Sequence, residues 1–366
     1  MSYSGKVLYR RSPHLVLYWQ GGKLIFENYV DRTRITAAPI TFEILRFFDR
    51  WRSDESLLRH MRQFSRSSVR KAISALARHS LLQRSDGSGS DSDRLMQTWE
   101  PWNPSAGFFH FSTKDVQYGH DLQATRRWLR QRAKRHPIPS PVKRYPAARQ
   151  FELPAAATDS EFSQILLNRR TWRQFSQRPV QLAQLATLLE LTWGVQRWVK
   201  LPGLGSVALK TSPSGGALHP IEAYVLALRV AGLPSGLYHY AADSHRLELL
   251  RRGATRRQLV DYLAGQWWFG SAGAVILMTA VFVRTQWKYE SPRAYRVVLT
   301  EAGHFCQTFC LTASWLGLAP FCTLALADSR IEKDLGIDGV TESVLYAAGV
   351  GTRPRGKDWS PWPESK

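Results

Sequence analysis

Arg169, Arg170 and Thr171, with Arg173 two residues on, gather three guanidinium groups and a hydroxyl into five residues. That set suits a terminal phosphate, because a guanidinium fork binds phosphate oxygens through charge-assisted, often bidentate hydrogen bonds. In a chain this rich in Arg the cluster alone says little. Gly351-Thr-Arg-Pro-Arg355 repeats the idea with Arg353 and Arg355, and the two clusters could converge on one phosphate. Between them Pro213, Ser214, Gly215 and Gly216 make a turn. Two adjacent glycines carry no Cβ, so this backbone can approach something flat or anionic, although an ordinary loop fits the stretch equally well. Lys288-Tyr289 follows an apolar run. A Lys beside a Tyr can act as a general base where burial or nearby cations favour its neutral form, and Arg284, Arg293 and Arg296 are candidates for that charge. A Lys snorkelling from a strand end is the plainer reading, and spacing alone favours it. The chain has no Ser-His-Asp order with a nucleophile elbow, no Gly-x-x-x-x-Gly-Lys loop and no Gly-x-Gly-x-x-Gly turn. A nicotinamide would therefore lack a Rossmann site of its own.

The elements that must position these residues can be read from periodicity. His14 to Trp19 and Lys23 to Tyr29 flank Gly21-Gly22 as a hairpin. Phe42, Leu45, Phe48 and Trp51 recur at helical spacing, and Ser53–Phe64 and Ser67–His79 read as two more helices. A hairpin with three short helices predicts a winged-helix-like module over residues 1–98, a module that binds DNA or clamps a peptide. Asp86 to Asp93 is a polar break. An aromatic-rich segment follows, then Arg126 to Arg149 with nine Lys or Arg, four Pro and no acid. It reads as a solvated connector in preference to an electrostatic landing strip. Residues 99–157 are thus a connecting region, and residues 158–366 form a second domain.

That domain opens with a helix that Thr158 or Asp159 could cap, with Phe162, Ile165 and Leu166 as its buried stripe. A helix from about Gln181 to Trp193 stops at Gly194. Strands at Ile221–Val230, Gly236–Tyr240, Arg246–Leu250, Ala274–Val283 and Val344–Val350 alternate with helices near Thr255–Leu263 and Tyr295–Leu316. The predicted class is α+β, with a mixed central sheet wrapped by helices.

The formal charge of +21 calls for an anionic partner, unless it is only an Arg-rich solvated surface. Three cysteines, Cys306, Cys310 and Cys322, make no secreted disulfide framework, and spacing suggests no metal pattern, so buried reduced thiols are expected. No apolar h-region follows Arg10 and Arg11, and Ala272–Val283 is too short to cross a bilayer. These features predict a cytoplasmic protein.

Together the pieces resemble the nitroreductase superfamily of FMN enzymes, and specifically its SagB-type peptide-maturation dehydrogenases. The matching stretches are Arg169–Phe175, Pro213–Glu222, Gly236–Tyr240, Lys288-Tyr289, Arg293–Arg296 and Glu301–Gln307, in order across about Asp159 to Arg355. Gly107–Asp115 and the front module look like the extension found in this group. The resemblance implies a homodimer with one FMN at each interface. Arg169, Arg170 and Thr171, joined by Arg353 and Arg355, would hold the FMN phosphate. Arg173 would lie near the pyrimidine edge, and Pro213, Ser214, Gly215 and Gly216 would pass along the isoalloxazine. Lys288 and Tyr289 would match the Lys-Tyr pair that such enzymes use to oxidise azolines. Three departures stand out: Thr171 replaces a common Ser, Thr308 replaces an Asn, and Cys322–Asp328 lacks the expected Gly-containing loop.

The favoured function is FMN-dependent dehydrogenation of thiazoline or oxazoline rings in a ribosomally made peptide. The front module would then hold a leader, whose acidic residues the positive charge would attract, alongside a cyclodehydratase. Two alternatives remain: an NAD(P)H-dependent flavin reductase of dehydroamino acids or nitro-compounds, and a winged-helix DNA-binding regulator with a flavin sensor.

Overall fold

The structure is a computed structural model that describes the chain apart from residues 1–5, 88–95, 120, 137, 145, 203–204, 357–358 and 360–366. Most of the predicted polar break at Asp86–Asp93 lies outside the described residues. The chain divides into two compact units that do not follow sequence order. The first comprises Met1–Lys114, Val281–Val298 and Ile337–Ser343; the second comprises Asp115–Ala280, Leu299–Gly336 and Val344–Lys366.

In the first unit the predicted hairpin is present. Leu15–Gln20 pairs antiparallel with Lys23–Asn28, turning at Gly21 and Gly22, whose φ of 56° and 75° suits residues without a Cβ. Thr33–Thr36 adds a third strand. Helices Ile40–Phe47, Asp54–His60 and Arg66–Arg78 follow, the last two capped by Ser53 and Ser65. Their apolar faces close on Phe26, Leu45, Phe48, Leu57, Val69 and Ile73. Phe42 and Trp51 are exposed instead of buried; the first helix ends at Phe47, so the three-residue spacing no longer keeps Trp51 on its face. A small sheet joins Arg52–Ser53, Leu8–Arg11 and Leu82–Arg84.

The aromatic segment after residue 98 belongs to this unit because it packs on residues 282–295. Trp99 stacks on His110 and lies 4.8 Å from the Phe282 ring, and its indole N–H donates to Val340 O. Trp102 donates to Tyr289 O at 2.9 Å, and His110 Nδ1 meets Tyr295 Oη at 2.8 Å. Burial pushes His110 down to about 3, so it packs as a neutral ring.

The second unit is built on a six-stranded sheet in the order Arg246–Arg252, Gly236–Ala241, Ile221–Ala227, Ala274–Val281, Glu342–Thr352, Leu318–Thr323. Ile221–Ala227 runs antiparallel to both its neighbours, as does Leu318–Thr323 to Glu342–Thr352. Outside this sheet, Val180–Gln181 pairs parallel with Val230–Ala231. Phe321 stacks on Phe269 with ring centroids 3.9 Å apart, and Gly349 permits it: a Cβ there would sit 2.3 Å from the Phe321 ring. The predicted strand Ala274–Val283 stops at Val281, and Phe282–Gln286 is a helical turn. Helix Leu182–Trp193 buries Leu185, Leu188 and Leu189, and stops at Gly194, where a Cβ would lie 2.5 Å from Glu190 O.

Two expectations change. Helix Glu161–Asn168 is capped by Ser160, and its stripe is not buried: Phe162 is 64% exposed and Leu166 44%. Within the basic connector Leu122–Arg135 is a helix, capped by Asp121 and without a buried residue. Among the described residues no helix is long and apolar enough to cross a membrane.

Candidate functional site

Residues 169–176 lie along the last two strands of the sheet. Trp172 N–H donates to Pro320 O, Ser176 N–H donates to Thr352 O, and the Ser176 and Thr352 hydroxyls meet at 2.6 Å. Gly351 makes room for this, since a Cβ there would come 2.6 Å from the Phe175 ring. One consequence is that Arg353 stacks over Trp172, 5.6 Å from the ring centroid. The two basic clusters, 180 residues apart in sequence, thus share one place. Arg353 Nε also donates to Leu318 O, at the start of strand Leu318–Thr323, at 3.0 Å, and Nη2 donates to Ser314 O, a carbonyl in the last turn of the long helix Ala294–Trp315. Arg170 Nη1 donates to Leu167 O and Arg169 O, and Trp359 donates to Thr171 O.

Arg173 and Arg353 are half-buried. Burial lowers both guanidinium pKa values, with no carboxylate among the described residues acting on either to oppose it. A desolvated cation without a counter-charge calls for an anion. Arg170 and Arg355 are exposed, Arg169 and Thr171 partly so.

The Pro213–Gly216 turn is fastened to the long helix. Ser214 Oγ donates to Glu301 Oε2 at 2.7 Å and accepts from His219 N–H at 2.9 Å. Gly215 N–H also reaches Glu301. His304 Nδ1 donates to Pro213 O at 3.2 Å, and the Thr308 hydroxyl meets that of Ser212 at 2.7 Å. Glu301, His304 and Thr308 stand at helical spacings of three and four, so one helix face carries the whole turn. Gly216 has φ 69°, the left-handed region its lack of a Cβ makes accessible. The turn and the Arg353 anchor at Ser314 are thus held by one rigid rod, with Glu301 and Ser314 about 20 Å apart along it.

Glu301 was quoted in the sequence pattern without a role. Its side chain is 2% exposed, burial pushes its carboxyl up to about 7, and Oε1 accepts no hydrogen bond among the described residues. The Nδ1 of His219 lies 3.7 Å from Oε1, while its Nε2 donates to Ala208 O. The sequence signal available was a Glu in an otherwise apolar helical stretch. Thr308, a departure from the pattern, supplies a hydroxyl that holds Ser212.

Lys288 and Tyr289 belong to the first unit, in the turn after Phe282–Gln286. Both backbone N–H groups donate to Thr285 O, and Lys288 Nζ sits 5.5 Å from the Tyr289 ring. Tyr289 is half-buried, but Lys288 is exposed, so this chain alone does not supply the burial that a neutral lysine needs. The bond from Trp102 to Tyr289 O gives the aromatic segment a positioning part in the pair.

The nitroreductase family model matches residues 166–352, which contain the Arg169–Arg173 cluster, the turn and the long helix and end one residue before Arg353. The chain belongs to the nitroreductase family. The putative nitroreductase MJ1384 of Methanocaldococcus jannaschii is 30% identical over 173 residues, 47% of this chain and 83% of that protein. The trifolitoxin-processing protein TfxB of Rhizobium leguminosarum bv. trifolii is 32% identical over 153 residues, 41% of each chain. The microcin B17-processing protein McbC of Escherichia coli is 31% identical over 158 residues, 41% of this chain and 56% of McbC. The chain therefore spans about half the length of these two processing proteins. The resemblance drawn from the motifs, to the peptide-maturation branch of this superfamily, agrees with these matches.

Proposed function

We propose that this nitroreductase-family chain is an FMN-dependent dehydrogenase that oxidises thiazoline or oxazoline rings of a ribosomally synthesised peptide to azoles. The observation that carries the flavin is the convergence of Arg353 with Arg169–Arg173, where two half-buried guanidiniums have no carboxylate acting on them among the described residues. That donor set fits a phosphate. Arg169, Arg170, Thr171, Arg353 and Arg355 would hold it, and Arg173 would face the ring's pyrimidine edge. The turn at Pro213, Ser214, Gly215 and Gly216, fixed by Glu301 and His304, would supply a wall against which a flat ring lies. When bound, FMN supplies the two-electron acceptor for the dehydrogenation. An azoline loses a proton and a hydride on becoming an azole. Lys288 would take the proton, and Tyr289, anchored through Trp102, would orient the ring beside it.

Peptide as the substrate class is supported by the names of TfxB and McbC, each a processing protein of a peptide product. The first unit would hold the leader of a precursor peptide, with a cyclodehydratase as the further partner. Its third helix already engages Arg66 and Arg70 with Asp54 and Glu55, which leaves those cations committed within the fold and disfavours DNA phosphates as their ligand. A second copy of the chain is supported by helix Glu161–Asn168, whose Phe162, Leu166 and Leu167 its own chain leaves exposed. A homodimer would cover that stripe.

The test is Arg169→Ala combined with Arg170→Ala. The double variant should be purified without the yellow flavin spectrum while keeping its far-ultraviolet circular dichroism. Full flavin occupancy in the double variant would overturn the phosphate assignment.

A further inference from the structure

The function above makes no use of the three cysteines, yet they meet. Cys306 and Cys310 stand one turn apart on the long helix, both buried, and Cys322 on strand Leu318–Thr323 is half-buried. A spacing of four on a helix puts two side chains on one face. Here that face packs on the strand that follows the helix, which brings in the third thiol. All three Sγ atoms lie within 4.8 Å of one another, and all three are free thiols.

Three sulfurs no more than 4.8 Å apart leave a point within about 2.8 Å of all of them, and a zinc–thiolate bond is about 2.3 Å. Drawing each sulfur inward by at most about 0.5 Å, a small rotation of each side chain, completes trigonal coordination. Three sulfurs with no carboxylate or imidazole among them select soft cations and reject magnesium, calcium and manganese. Ions are bound by thiolates, so the thiols give up their protons on binding.

We propose that Cys306, Cys310 and Cys322 form a three-thiolate site for a thiophilic cation, Zn²⁺ or Cu⁺, that ties the long helix to strand Leu318–Thr323. Cu⁺ is satisfied by the three sulfurs alone. Zn²⁺ would take a fourth ligand, from water or from the Tyr346 hydroxyl, which hydrogen-bonds with Cys322. Binding releases the protons of whichever thiols are still protonated, and no electron is transferred. The ion would brace the end of the helix that Arg353 also grips, beside the proposed phosphate site but independent of it.

The experiment uses the full chain purified without chelator and handled anaerobically. Elemental analysis should find about one zinc or copper per chain, and which metal is found separates the two ions. The metal-free protein titrated with Co²⁺ should develop a thiolate-to-cobalt charge-transfer band in the near ultraviolet that saturates at about one equivalent. Cys310→Ser and Cys322→Ser should each lose both signals with circular dichroism unchanged. The proposal is overturned if the protein is metal-free and neither Co²⁺ nor Cu⁺, presented against a bathocuproine competitor, binds. It is equally overturned if both serine variants keep a full equivalent. Should the serine variants fail to fold, the wild-type titration decides.

Discussion

The carboxyl of Glu301 gives the account a quantitative handle, because its environment opposes ionisation. The group is buried on the long helix, and burial raises it from 4.5 to about 7 against the hydrogen bonds of Ser214 and Gly215. A carboxyl whose folded pKa is raised binds its proton more tightly when folded. Its contribution is fully present below about pH 4.5 and is lost as pH rises through about 7. A rise of about 2.5 units at 1.36 kcal/mol each is about 3 kcal/mol. Lys210 and His304 work in the opposite direction, by stabilising the carboxylate, and are already included in that net value. Glu301→Gln keeps an acceptor for Ser214 and Gly215 but cannot ionise. Urea unfolding of the flavin-free protein between pH 5 and pH 8 should show the wild type losing about 2.5 kcal/mol more than Glu301→Gln, since pH 5 already lies above the unfolded pKa. His239, raised chiefly by its hydrogen bond to Glu222, titrates in both proteins and cancels in the difference. Parallel pH profiles for the two proteins would refute the reasoning, since Glu301 would then be ionised throughout.

Four further outcomes follow from the same geometry. Gly349→Ala places a methyl 2.3 Å from a Phe321 ring that is stacked on Phe269, so urea unfolding should show a loss of about 1–3 kcal/mol. Arg353→Met removes both a proposed phosphate contact and the donor to Leu318 O; flavin fluorescence titration should show affinity weakened by roughly 10–100-fold, together with a lower melting temperature. The exposed Arg355→Ala should weaken flavin binding with the melting temperature unchanged. Lys288→Ala, loaded with FMN, should slow peptide oxidation by about 10²–10⁴-fold while its flavin content, read from the visible spectrum, stays at the wild-type level.

How much of this is legible in the sequence depends on the range over which each interaction acts. The Arg169–Arg173 cluster and the Gly215-Gly216 turn are visible because the residue types and the local spacing carry the chemistry. Their convergence with Arg353 is a property of strand pairing, fixed only when residues 169–176 lie beside Thr352. Glu301 is ambiguous for a different reason: one acid in an apolar helix also looks like a solvated position until the Ser214 turn closes over it. Cys322 is twelve residues from Cys310, beyond any helical spacing, and only the helix–strand reversal at Gly317 brings it back. Periodicity marks Phe162 and Leu166 as one apolar stripe correctly, but it cannot say whether the same chain covers that stripe. The exposed Lys288 is similar, since its chemistry depends on what lies over it.

The central claim is that bound flavin takes two electrons from an azoline ring in a peptide. It is tested most directly by mixing the purified yellow protein anaerobically with a synthetic thiazoline-containing peptide and recording the visible spectrum and the peptide mass together. The oxidised-flavin absorbance should be lost, with a matching loss of two hydrogens from the peptide. A flavin that stays fully oxidised by dithionite-calibrated absorbance, with the peptide mass unchanged, would contradict it.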